Sequence, residues 1–122
     1  MRKGATVIQW KMYHNPRCGT SRKVLEMLRG RGIEPEIIEY LKHPPTPAQL
    51  DTLLKQAGLE PEGLVRKKEA LYQQMRLGSK NLTRPEWLQV LVQNPILIER
   101  PIVLKGLKAI LARPPERVQD LF

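Results

Sequence analysis

The opening of the chain commits it to a fold class. An apolar run at 7–13, through Val7, Ile8 and Trp10, has the bulk and β propensity of a strand. A helix-forming run follows at 19–31, with Val24, Leu25 and Leu28 in its apolar stripe and Gly32 as its stop. A second apolar run at 33–41 returns through Ile37, Ile38 and Tyr40. This strand–helix–strand order, with short connections, is one βα unit. Cys18, the only cysteine, falls where the first strand ends and the helix begins.

The rest of the chain is punctuated by proline and glycine. His43-Pro44-Pro45 separates the second strand from the next segment. Thr46 then caps a helix, with Pro47 in its first turn and Gln49 completing a capping box. Leu50, Leu53 and Leu54 line its inner face and Gly58 ends it. Residues 62–75 read as two short helical pieces around Val65-Arg66-Lys67-Lys68. Thr83, Pro85 and Glu86 repeat the capping pattern, and Trp87, Leu88, Leu91 and Val92 give that helix a buried face. Asn94-Pro95 closes it. Segments 101–104 and 108–111 pair as a hairpin around Lys105-Gly106, and Pro114-Pro115 opens a short terminal helix through Val118 and Leu121. The order is β-α-β, a helical middle, then β-β-α. The two ends are expected to form one four-stranded mixed sheet, α/β in class, with the helical middle inserted between the second and third strands. Residues 1–6 read as a short arm. No repeat or linker divides the chain, so residues 1–122 read as a single domain.

Composition narrows the function classes. At 122 residues the chain can bury a core without disulfide staples. One cysteine excludes an internal disulfide framework and a Cys-rich metal site, and a reduced, cytoplasmic setting is the simplest fit. His14 and His43 with Cys18 lack the spacing of a zinc site, so no metal is expected. No secretory signal or membrane-spanning run is visible, and no membrane partner is expected. The net charge of +9 suits either anion steering into a cleft or a solvated basic surface. Basic residues do not interleave regularly with aromatics, which are only 5% of the chain, so no specific nucleic-acid partner is expected.

The local sequence around the thiol is His14-Asn15-Pro16-Arg17-Cys18-Gly19-Thr20-Ser21-Arg22. A thiol at a helix N-terminus among arginines favours the thiolate, which is the nucleophile. The same loop supplies inward backbone N–H groups at the positive end of the helix dipole, a setting that suits an anion. A lone cysteine is more often a small buried hydrophobe. The polar neighbours Arg17, Thr20, Ser21 and Arg22 argue against burial here.

Four motifs in order carry a family resemblance. They are Tyr13-His14-Asn15-Pro16-Arg17-Cys18-Gly19-Thr20-Ser21-Arg22, Val65-Arg66-Lys67, Asn94-Pro95-Ile96-Leu97-Ile98-Glu99-Arg100-Pro101-Ile102-Val103 and Arg113-Pro114-Pro115-Glu116. On these the chain resembles the glutaredoxin-linked arsenate reductase family, within the thioredoxin-like fold, over nearly its whole length from Val7. Lys67-Lys68-Glu69-Ala70-Leu71-Tyr72 and the segment 112–117 look closer to a less characterised branch of that family.

The resemblance implies Cys18 as the redox nucleophile and Arg66, Arg100 and Arg113 as the lining of an oxyanion site. It implies a cis bond before Pro101, facing the cysteine, with Arg22 as a structural companion and His14 as a residue that tunes the cysteine. Ser21 stands where a thioredoxin-type protein has its resolving cysteine. A hydroxyl cannot form a disulfide, so the second thiol must come from outside. The resemblance implies glutathione as co-substrate, glutaredoxin as partner, no bound cofactor and a monomer. Two rivals share these features: another glutathione-linked thiol oxidoreductase, and a thioredoxin-like regulator that binds RNA polymerase.

Overall fold

The computed structural model describes residues 8–122. The arm expected at 1–6, and Val7 as the first strand residue, lie outside the described residues. The strands are β1 (Trp10–His14), β2 (Glu36–Glu39), β3 (Ile102–Lys105) and β4 (Lys108–Leu111). They form one sheet in the order β2-β1-β3-β4. β1 runs parallel to β2 and antiparallel to β3, and β3 pairs antiparallel with β4. The helices are α1 (Gly19–Gly30), α2 (Pro47–Ala57), α3 (Ala70–Gln74) and α4 (Arg84–Gln93). The topology is thioredoxin-like, with α2, α3 and α4 inserted between β2 and β3.

Period-2 alternation sends successive strand residues to opposite faces of the sheet. Met12, Val103 and Ile110 face α1 and the terminal 3-10 turns, where Val24, Leu25, Leu28, Val118 and Leu121 complete one core. Tyr13, Ile102, Leu104, Ala109 and Leu111 face the inserted helices, where Leu50, Leu53, Leu54, Trp87, Leu88 and Leu91 complete the other. The sheet is therefore covered on both sides, and its β1 end is fixed between two apolar layers.

Both expected capping boxes are present. Thr46 Oγ1 accepts from Gln49 N while Gln49 Oε1 accepts from Thr46 N, and Thr83 and Glu86 do the same at α4. Each N-cap is worth about 1 kcal/mol. Gly58 ends α2 in the left-handed region at φ 67°, where a side chain would be strained.

Several boundaries differ from the sequence reading. Residues 8 and 9 precede the first ladder, because β3 reaches its last partner, Lys105, opposite Trp10. The second strand is shorter than 33–41: its ladder opposite Lys11–His14 starts after Pro35, which has no N–H to donate. The two short helical pieces expected within 62–75 are present, as a 3-10 turn at Pro61–Gly63 and α3, and Val65 between them adds an unexpected β-bridge with Ile98. The terminal segment Pro115–Leu121 is 3-10 rather than α. Val92 is half-buried, beside the buried face of α4. No helix among the described residues is long and apolar enough to cross a membrane.

Candidate functional site

Cys18 is the N-cap residue of α1, in extended backbone at φ −93°, ψ 123°. Its carbonyl accepts from Arg22 N at 2.9 Å and its N–H donates to Asn15 O at 3.0 Å. Its side chain makes no capping hydrogen bond, so Sγ is left half-buried and available for chemistry. Burial pushes the thiol up. The backbone N–H of Ser21, the Arg100 guanidinium and the N–H of Thr20 outweigh that effect, and the thiol lies below its ordinary value. This is the helix N-terminus and cationic neighbour acting together.

The loop before Cys18 is held by its own polar groups. Ser21 is fully buried, and its Oγ accepts from Asn15 N at 3.1 Å and lies 2.6 Å from His14 Nδ1. Burial pulls His14 below the usual imidazole range, with Glu39 opposing and Arg29 and Arg22 reinforcing. A neutral imidazole leaves Nδ1 free to accept the Ser21 hydroxyl proton. Asn15 Oδ1 accepts from Arg17 N at 3.0 Å, and Arg22 Nη1 donates to Pro16 O at 2.9 Å. Ser21, His14 and Arg22 therefore brace the loop, and none of these hydrogen bonds uses Sγ.

The arginines arrive from three distant segments. Pro101 follows Arg100 through a cis bond, and its carbonyl accepts from Ala112 N at 2.9 Å, which sets Arg113 beside Arg100. Arg113 Nη1 donates to Arg100 O at 3.2 Å and points at Cys18 Sγ from 3.9 Å. Arg100 Nε and Nη1 are buried and have no hydrogen-bond partner among the described residues. The Arg100 guanidinium lowers the thiol first as a hydrogen-bond donor and then as a nearby charge. Arg66 is set by the Val65–Ile98 bridge, through Arg66 N to Leu97 O and Glu99 N to Leu64 O, both 2.7 Å. It does not reach the thiol directly in any hydrogen bond. Its Nη1 pairs with Glu99 Oε1 at 3.0 Å and its Nε with Glu69 Oε2 at 3.2 Å.

Two residues of the site carried no role in the sequence reading. Glu99 bridges the wall, accepting from Arg66 and lying 3.8 Å from Arg113 Nε. Its signal was its place directly before Arg100-Pro101. Tyr40, 1% exposed, brings a buried hydroxyl without a partner up to the Arg100 guanidinium. It read as strand core, and only the fold shows what its ring tip meets. A second cis bond, Arg113-Pro114, was likewise not foreseen.

Val65, Arg66, Lys67, Lys68, Glu99 and Arg113 line a cleft of about 350 Å³, of which Arg113 is the residue that also approaches the thiol. Chemically, the arrangement joins a thiol held below its ordinary value to a space walled largely by cations, with the buried Arg100 guanidinium acting on the thiol from outside that lining. Among the described residues, no group of three or more His, Cys, Asp or Glu side chains is placed to hold a metal ion.

The ArsC family model matches residues 13–121. An uncharacterized Escherichia coli (strain K12) protein, YfgD, is 44% identical over 114 residues, covering 93% of this chain and 96% of that one. An arsenate reductase of Rhizobium meliloti (strain 1021) is 43% identical over 111 residues, covering 91% of this chain and 79% of that one. Among solved structures, an arsenate reductase from Vibrio cholerae superposes with a TM-score of 0.91 at 37% identity, covering 96% of this chain and 100% of the other.

Proposed function

The chain belongs to the ArsC family and is an oxidoreductase of the arsenate-reductase type, and we propose that it reduces arsenate to arsenite with an external thiol. One observation carries this reading. The lowered Cys18 thiol shares its space with Arg113, 3.9 Å away, and with Arg100, whose buried donors lack partners. A tetrahedral oxyanion in the cleft would meet Arg113 with its own oxygens while the buried Arg100 charge helps to compensate it, since arginine offers charged, often bidentate N–H groups.

In the proposed course, the Cys18 thiolate attacks arsenic and water or hydroxide leaves. Arg66, Arg100 and Arg113 compensate the oxyanion charge as the thiol–arsenate adduct forms. Arsenic must then gain two electrons to go from arsenate to arsenite. Cys18 and one outside thiol supply them by ending as a disulfide. Ser21 cannot be the second thiol, and Cys18 is the only cysteine of the chain. Glutathione fits the role of outside thiol, and glutaredoxin the role of clearing the mixed disulfide by ordinary exchange. Glutathione is then a co-substrate, and its use places the protein in a reducing, cytoplasmic setting.

The test is NADPH consumption with arsenate, glutathione, glutaredoxin and glutathione reductase. Arsenate-dependent turnover is expected for the parent and none for Cys18→Ser. A folded parent with a reactive thiol and no turnover would move the assignment to another glutathione-linked substrate.

A further inference from the structure

A carboxylate on the wall of an anion site is electrostatically costly, because it repels any fully ionised ligand. Glu99 nevertheless lines the cleft together with Arg66 and with Arg113, whose Nη1 approaches the thiol. Its position is built in. The backbone pair Arg66 N to Leu97 O and Glu99 N to Leu64 O sets Arg66 and Glu99 side by side. Its Oε1 is held by Arg66 Nη1 at 3.0 Å and lies 3.8 Å from Arg113 Nε. Its Oε2 accepts no hydrogen bond among the described residues, whereas Oε1 accepts from Arg66. One oxygen is anchored by the cations that would bind an anion, and the other is an open acceptor.

An open carboxylate oxygen accepts a hydrogen bond from a ligand hydroxyl and repels a ligand that has none. Tetrahedral oxyanions divide on this point. Arsenate and phosphate keep a proton on oxygen throughout the neutral range, whereas sulfate keeps none. From this geometry we infer that Glu99 selects oxyanions that carry a proton and rejects fully ionised ones. An O–H to carboxylate bond is short and strong, and the same carboxylate facing bare sulfate has only repulsion to offer. The selection rests on the reading of the cleft as an oxyanion site. It assigns Glu99 to specificity, with Cys18 keeping the bond-making.

The test reads binding without turnover. Cys18 is alkylated by iodoacetamide at pH 7 and constant ionic strength, with inorganic phosphate or sulfate added as protectant. The parent is expected to need about tenfold less phosphate than sulfate for half-protection, against the order set by net charge alone. Glu99→Gln keeps the side chain's size and removes its charge, and it is expected to abolish that preference. Glu69→Gln removes the other carboxylate on Arg66 and is expected to keep it. A parent that shows no preference, or prefers sulfate, overturns the inference whether or not any variant folds. So does a Glu99→Gln ratio equal to the parent's, or a Glu69→Gln ratio that collapses equally. Arsenate turnover with either of those results leaves the reductase reading standing and removes only the selectivity. Failure of both anions to protect the parent removes the oxyanion site itself, and both readings with it.

Discussion

The loop that presents Cys18 and the wall that faces it are built on opposite principles. The loop is local: residues 14–22 satisfy one another, with Ser21 buried between His14 and Asn15 and Arg22 tied to Pro16. The wall is remote: Arg66, Arg100 and Arg113 meet only because the bridge Val65–Ile98 and the bond from Ala112 to Pro101 bring their segments together. The loop's polar groups are spent on each other. The wall keeps unpaired donors, at Arg100 above all. The proposed binding and release of an oxyanion would need rigidity in one half and unmet hydrogen-bonding capacity in the other. Changes in the loop should therefore be read out as stability, and changes in the wall as activity.

The largest expected effect tests the wall. Arg100→Met keeps an unbranched apolar stem and removes the guanidinium with its charge and donors. Loss of a preorganised donor to a developing oxyanion costs about 10²–10³ in kcat. The same change removes the guanidinium that lowers the Cys18 thiol, so the pH midpoint of Cys18 alkylation should move up. The thermal midpoint should stay close to the parent's, because a buried guanidinium with unpaired donors stabilises little. Arg100→Met that retains full turnover, or that unfolds the protein, would erase the distinction between the two halves.

This contrast also explains what the sequence could disclose. The strand–loop–helix around Cys18 is contiguous, so the helix start beside the thiol was readable from residue order, while the cation that lowers the thiol, Arg100, is remote. Both capping boxes, at Thr46 and Thr83, were readable for the same reason. The mixed four-stranded sheet with its helical insertion followed from the β-α-β and β-β ends. The wall was readable only through the family resemblance, since nothing local relates Arg66 to Arg113. Glu99 and Tyr40 escaped because their roles depend on what lies across from them. Glu99 meets Arg66 across a two-residue bridge, and Tyr40 turns its hydroxyl toward Arg100 from the end of the second strand. The two short helical pieces around Val65-Arg66-Lys67-Lys68 were readable, but the Val65–Ile98 bridge between them was not, because its partner is remote in sequence.

An intermediate effect tests the loop. Ser21→Ala removes a fully buried hydroxyl and strands Asn15 N–H and His14 Nδ1. A buried group left unsatisfied costs about 1–3 kcal/mol, here a drop in thermal midpoint on the order of 5–10 °C. The Cys18 thiol should move little, because Ser21 acts on it through its backbone N–H, which alanine keeps. A large rise in the thiol's alkylation midpoint without loss of stability would give Ser21 a catalytic part instead of a bracing one.

The smallest effect concerns His14, and its sign is fixed by the direction of the shift. Burial holds the folded imidazole below its ordinary value, so neutral His14 adds stability above the unfolded-chain value. That contribution is lost as pH falls through the folded value, when the ring gains a proton at the nitrogen that had accepted from Ser21. His14→Gln cannot titrate. Between pH 7.5 and pH 5 the parent's thermal midpoint should therefore fall further than the variant's, by about 2 °C or more. Activity measured at neutral pH should change less than in Arg100→Met, because His14 reaches the thiol only through the loop it braces. Equal pH slopes in the two proteins would mean that the imidazole titrates alike in the folded and unfolded chain, whereas a parent that gains on the variant as pH falls would mean that His14 already carries its proton at neutral pH. The donor in the 2.6 Å contact would then be the ring and the acceptor Ser21 Oγ, and the loop would bring a positive charge toward the thiol.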